Sequence, residues 1–360
     1  MSSRVKSQAT GALRPEMSAA GIEGEPTRKV GALLKAAVGC IITATFVYFF
    51  WHEISGNRKA IQAFELRVDV FAILASIVAV GADYLLETYG WYLTVNTLSA
   101  RKATFKESFV AVNASRLAKY IPGKVWSPTV QVYWLAGLGF SKSLILFSNL
   151  TNIGVSLAAY LLLGSGLSAI ASGGVTASTI IVVVALLAVD IWLIESSRSV
   201  VGVCTNLAGR LLRREVGTYD LPKKLLYRLH AVHFLAALFF GAAVCLLCSS
   251  IGFHLDGAGI ILVLSSAILS EVAGFAAFVS PGGLGVREGL LYATLKGLFV
   301  PAVFLIVPVA ARLVSLTVDA VLGVTGIALA RKMAWPVCRR GNDVPVHEDA
   351  PVVPMHQLLE

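Results

Sequence analysis

Hydrophobic positions in this chain fall in long runs, not in the alternating or one-faced stripes of a water-soluble domain. A run of about 20 apolar residues crosses a bilayer as one helix. Six runs predict full spans: about Val30–Trp51, Val68–Tyr92, Leu144–Leu167, Ala177–Ile194, Leu229–Ile251 and Pro301–Ala330. Two more apolar regions, about Ala103–Leu138 and Ala258–Leu298, are broken in the middle. The first breaks at Pro122-Gly123 and the second at Ser280-Pro281-Gly282-Gly283, with Gly285 close behind. Proline lacks a backbone donor and glycine tolerates positive φ, so a helix does not pass through. Irregular backbone at bilayer depth is tolerated only inside protein or beside a watery cavity. Each broken region is therefore expected to be a re-entrant helical hairpin.

The cations orient the chain. Arg101, Lys102 and Lys106, the Arg331-Lys332 pair and the segment from Arg198 to Arg228 would share one side with the N-terminal tail. That segment holds Arg198, Arg210, Arg213, Arg214, Lys223, Lys224 and Arg228. The other side has Arg58, Lys59 and Lys296 as its clear loop cations. By the positive-inside rule the basic side is cytoplasmic, which places both termini inside a plasma (inner) membrane. The halves, about 30–168 and 175–332, then share one order (span, span, hairpin, span) but start on opposite sides. The two tips are 159 residues apart (281 − 122). The expected fold is an all-α integral membrane protein, with about six transmembrane helices plus two opposed re-entrant hairpins in an inverted repeat. Opposed broken helices of this kind are the plan of alternating-access transporters. Residues 1–28 and 333–360 read as disordered cytoplasmic tails flanking a transmembrane domain of 29–332.

Composition agrees. The 360 residues are 56% hydrophobic and 14% charged, against about 25% charged in soluble domains. A net charge of +9 could suggest nucleic acid, but in so apolar a chain basic loops facing anionic lipid account for it. Of the five cysteines, Cys245 and Cys248 have a suggestive spacing, yet lie inside an apolar run and read as small hydrophobes. The Gly282–Gly285 cluster has no βαβ context, so it is no dinucleotide fingerprint. There is no metal spacing and no nucleophile elbow. Neither an enzyme nor a cofactor is expected, and the first apolar run reads as a retained span, not a signal peptide.

Ionisable residues at bilayer depth cost at least about 2.5–3.5 kcal/mol each and mark candidate sites. They are Asp83, Glu87, Arg116, Lys119, Lys124, Glu271, Arg287, Glu288, Arg312 and Asp319. One reading is that they pair with each other and hold the broken helices in register. Arg312 and Asp319, seven apart on one face, suit such a pair; Asp83 and Glu87 could serve Arg116 or Lys119. The other reading starts from positive surplus: Arg116, Lys119 and Lys124 surround the first tip, and Arg287 follows the second. Cations near broken helix ends suit a phosphate-bearing anion. His230 and His233 could shuttle protons but read as interfacial. Asn149 and Asn152 could line a polar path or bond between helices.

Tyr120-Ile-Pro-Gly-Lys-Val-Trp126 and Glu271 with Pro281-Gly-Gly-Leu-Gly-Val-Arg-Glu288, in this order, resemble the transmembrane (flippase) region of lysylphosphatidylglycerol synthases over about residues 30–332. The resemblance implies movement of a lipid between leaflets. In two-part members a soluble domain first makes an aminoacylated phospholipid; only about 30 polar residues follow the last span here, so aminoacyl transfer is not expected. Carried over by motif, the site positions are Lys124, Glu271, Arg287 and Glu288. The residue reading adds Arg312, Arg116 and Lys119, with Pro122, Gly123, Pro281, Gly282, Gly283 and Gly285 forming the tips. The expected function is translocation of an anionic phospholipid or lipid-linked precursor. Its rivals are transport of a small soluble solute, or a non-transport role as accessory subunit of a membrane glycosyltransferase. Membrane lipids are the expected partners, with a lipid-modifying or glycosyltransferase enzyme as a further one.

Overall fold

A computed structural model describes residues 41, 44–45, 48–65, 67–120, 126–174, 176–197, 219–277 and 280–333. Among them the protein is entirely helical, with no strand. After a short helix α1 (Arg58–Ala63), the long helix α2 (Val70–Leu98) starts where Asp69 accepts bonds from the N–H groups of Phe71 and Ala72. Helix α3 (Phe105–Arg116) opens on a capping box between Thr104 and Glu107 and runs into a 3₁₀ turn, Leu117–Tyr120. Helix α4 (Trp126–Ala136) precedes α5 (Lys142–Gly173) and α6 (Ala177–Glu195), the last two capped by Ser141 and Thr176. Helices α7 (Lys223–Ser250) and α8 (Gly257–Ala276) follow. A second 3₁₀ turn, Pro281–Gly283, leads to α9 (Val286–Leu295) and α10 (Pro301–Lys332).

Six helices are long and apolar enough to cross a membrane: α2, α5, α6, α7, α8 and α10. Their outward side chains are apolar, with Phe71, Val78 and Ile181 well exposed, as a lipid-facing surface requires. Five of the six coincide with spans expected from sequence. The other, α8, was expected as half of a hairpin, while the expected first span, Val30–Trp51, lies mostly outside the described residues. Residues 198–218 of the basic segment also lie outside them. Its end is corrected: Lys223, Lys224 and Arg228 are not in a loop but in the first turns of α7.

Contacts between helix ends define two faces of the bundle. At one, the N–H of Asp69 bonds the carbonyl of Ser250 at 2.8 Å, Lys296 pairs with Glu53 at 3.1 Å, and the rings of Phe253 and Phe299 meet at 5.5 Å. At the other, Arg101 lies 4.7 Å over the Phe140 ring, Tyr219 bonds Ser143, and Lys223 pairs with Glu195. The broadest interface joins α2 to α7, and α8 packs on α5 as α3 packs on α10. Glycines allow the last two approaches. A Cβ on Gly164 of α5 would fall 2.8 Å from Leu269 of α8, and one on Gly323 of α10 would fall 2.7 Å from Leu117 beyond α3.

Candidate functional site

The two 3₁₀ turns meet inside the bundle, and ionisable side chains from five helices converge there. Arg312 is eleven residues into α10 (312 − 301) and Asp319 thirteen before its end (332 − 319). At 1.5 Å per residue that is about 16 and 20 Å from the two helix ends, near the middle of a helix long enough to cross a bilayer.

Each described cation of the group faces a carboxylate. Arg116 at the end of α3 binds Glu87 of α2 at 2.6 Å, donates to the Tyr84 carbonyl at 3.3 Å, and stacks 4.0 Å over the Tyr84 ring. Lys119 pairs with Asp319 at 2.6 Å, and Tyr120 donates its hydroxyl to the same carboxylate oxygen at 2.5 Å. Arg287 of α9 pairs with Glu271 of α8. Arg312 donates Nη1 to the carbonyl of Gly282 at 3.1 Å and lies 5.6 Å from the centre of the Tyr120 ring, so it touches both turns. Its Nε stands 3.6 Å from Glu288, too far for a hydrogen bond. Among the described residues, Nε and Nη2 of Arg312, Oε1 of Glu288, Oγ of Ser315 and Oδ1 of Asp319 are buried without a hydrogen-bond partner.

The second turn is built by backbone chemistry. Gly282, Gly283 and Gly285 all have positive φ (58°, 71° and 86°), a region glycine enters freely. Ser280 bonds the Leu284 carbonyl at 2.5 Å, and Glu288 accepts from the N–H of Gly285 at 2.7 Å, capping α9. Glu288 thus ties the turn to α9 with one oxygen and faces Arg312 with the other.

Several expectations change. The positive surplus is not found among the described residues, because Arg116, Lys119, Arg287 and Arg312 all stand opposite acids. Pro122, Gly123 and Lys124 lie outside the described residues. Arg312 and Asp319 share a face but do not pair; the two broken segments supply their partners instead. His230 and His233 are buried among the helices, with His230 bonded to Asp190 at 3.0 Å. Asn152 bonds Thr94 of α2 at 2.9 Å, which favours the helix-bridging reading. Cys245 and Cys248 are free thiols. The sequence reading did not pick out Tyr84 or Tyr120 as site members. Tyr84 stands between Asp83 and Glu87, and Tyr120 opens the first Pro-Gly motif, so proximity to the charged positions was the available signal.

A cavity of ≈ 10 Å³ touches Ser270, Arg287, Glu288, Arg312 and Ser315. That is room for about one water and far below the 300–1,000 Å³ of a ligand pocket. No protein-family model matches the sequence, and no curated protein matches it.

Proposed function

We propose that this protein moves an anionic phospholipid, or a lipid-linked precursor, between the leaflets of the plasma membrane, with the headgroup held where two re-entrant hairpins meet. The path of the chain supports the hairpins. Phe253 precedes α8 and Phe299 follows α9, and they touch; Arg101 precedes α3 and Phe140 follows α4, and they touch at the opposite face. Constant spacing supports the inverted repeat. Adding 159 to the bounds of α5 (142 + 159, 173 + 159) returns those of α10, 301 and 332. The same offset relates Gly164 to Gly323, Phe140 to Phe299 and the two Pro-Gly steps. Exchanging the halves also maps the α5–α8 contact onto α10–α3 and leaves α2–α7 in place. The face carrying Arg101, Lys102, Lys106, Lys223, Lys224, Arg331 and Lys332 would be cytoplasmic, against Arg58, Lys59, Arg67 and Lys296 opposite.

The observation that carries the reading is Arg312: a guanidinium at mid-depth that touches both turns and keeps two buried donors unpartnered. Buried donors without acceptors are unfavourable by about 1–3 kcal/mol each, more when charged, so an acceptor such as phosphate is the natural complement. Because the cations already face acids, the headgroup binds by exchange. Phosphate takes Arg312, Arg287 and Lys124, while Glu288 and Glu271 turn to its amine or hydroxyl groups. A lipid is favoured over a soluble solute because Glu87 and Lys119 are 33% and 30% exposed. On this reading a headgroup reaches the junction past these two half-exposed side chains while its acyl chains stay in lipid.

The test is reconstitution into liposomes with fluorescent phosphatidylglycerol, following how fast inner-leaflet probe becomes accessible. The wild type should move it well above protein-free liposomes. Arg312→Ala should slow it by about 10-fold or more, the equivalent of about 1.4 kcal/mol. Wild-type movement at the protein-free rate would reject the reading. Uptake of a soluble phosphate ester in its place would favour the solute carrier, and co-purification of a glycosyltransferase with the junction dispensable would favour the accessory role.

A further inference from the structure

Charge matching at the junction leaves one acid over. Among the described residues its cations are Arg116, Lys119, Arg287 and Arg312, opposite Glu87, Asp319, Glu271 and Glu288. Asp83 is a fifth carboxyl, 3% exposed, on α2. The side-chain hydrogen bond found for it among the described residues comes from the Tyr160 hydroxyl of α5, at 3.4 Å. Around it stand Tyr160 on α5, Glu87 one turn along α2, Arg116 of α3, which pairs with Glu87, and, at longer range, the Arg287–Glu271 pair of α9 and α8. His233 of α7 lies about two turns away, against Gly90. Both nearby cations are already committed to the two nearby acids. An ionised carboxylate held this way, buried and near like charges, is strongly disfavoured. A proton removes that penalty.

We infer that Asp83 is a proton-binding site whose proton travels with the headgroup, so that protonation of Asp83 and anion occupancy of the junction favour each other. With the proton bound, the described junction carries four positive and four negative charges and is neutral. Without it the described junction is one charge more negative, which disfavours an anion whatever charge Lys124 adds. By reciprocity, an anion that binds the protonated form more tightly must raise the affinity of Asp83 for its proton. No covalent bond changes other than O–H: the proton joins a carboxylate oxygen of Asp83 from water at one face and leaves to water at the other. The identity of the anion rests on the function proposed above; the proton site does not.

The full-length protein in lipid nanodiscs tests this by infrared titration of the carboxyl C=O stretch. A buried, protonated carboxyl should be present at neutral pH, absent from Asp83→Asn, and shifted in frequency but retained in Tyr160→Phe, which loses only the hydroxyl bond. Its titration midpoint should rise by about one pH unit, roughly 1.4 kcal/mol, when phosphatidylglycerol replaces phosphatidylcholine. A spectrum of Asp83→Asn identical to wild type would overturn the proton site. A midpoint indifferent to the anionic lipid would overturn the coupling. Failure of wild-type liposomes to move labelled phosphatidylglycerol would remove the flippase reading alone, leaving an Asp83 band in place.

Discussion

Glu288 joins local backbone chemistry to the long-range junction. One carboxylate oxygen caps α9 through the Gly285 N–H, and the other faces Arg312 across 3.6 Å. Glu288→Ala removes both interactions, whereas Glu288→Gln keeps an acceptor for the cap and loses only the charge. Both should destabilise the protein, since breaking a buried pair leaves an uncompensated charge worth about 3–5 kcal/mol. The alanine variant should be worse by about 1 kcal/mol, the usual size of a cap. Thermal unfolding in detergent measures this, and equal melting temperatures would deny Glu288 its capping role. Which residues belong to the junction was largely legible in the sequence, because a charge inside an apolar run stands out. Who pairs with whom was not. Lys119 and Asp319 are 200 positions apart (319 − 119), and helical spacing assigns a face without naming what arrives opposite it.

At the scale of elements, the second turn is legible because its cause is local. Gly283 has φ +71°, and a Cβ there would sit 2.8 Å from the carbonyl oxygen of Gly274 in α8. Gly283→Ala should therefore cost about 2 kcal/mol or more, from left-handed strain and from forcing α8 off the turn. Gly289→Ala, inside α9 with open space around it, should be neutral or mildly stabilising. Unfolding midpoints compare the two, and equal values would mean the turn does not need its glycine. Helix ends were harder to read. The apolar run that suggested Leu229 as the start of a span misses six residues of α7 (229 − 223), because Lys223, Lys224 and Arg228 extend the same helix past its apolar stretch. A polar first turn is ordinary helix once its long side chains reach water at the bundle face.

At the scale of the molecule, α2 and α7 share the broadest interface, while α8 packs on α5 and α3 on α10. On the proposed reading, rocking of one half against the other would slide each broken segment along a glycine-bearing helix. The 159-residue offset was visible in the sequence at the two Pro-Gly steps. Gly164 with Gly323 and Phe140 with Phe299 share it too, but small and aromatic residues recur too often to be singled out without the contacts they make. The account depends above all on each broken segment returning to the face it left, with the two entering from opposite sides. Single cysteines in a cysteine-free background, at Lys102 and Gly139 around the first segment and at His254 and Leu298 around the second, test this directly with a membrane-impermeant thiol reagent. The account predicts that positions 102 and 139 react only from the cytoplasmic side and 254 and 298 only from the outside; labelling of either pair from opposite sides would contradict it.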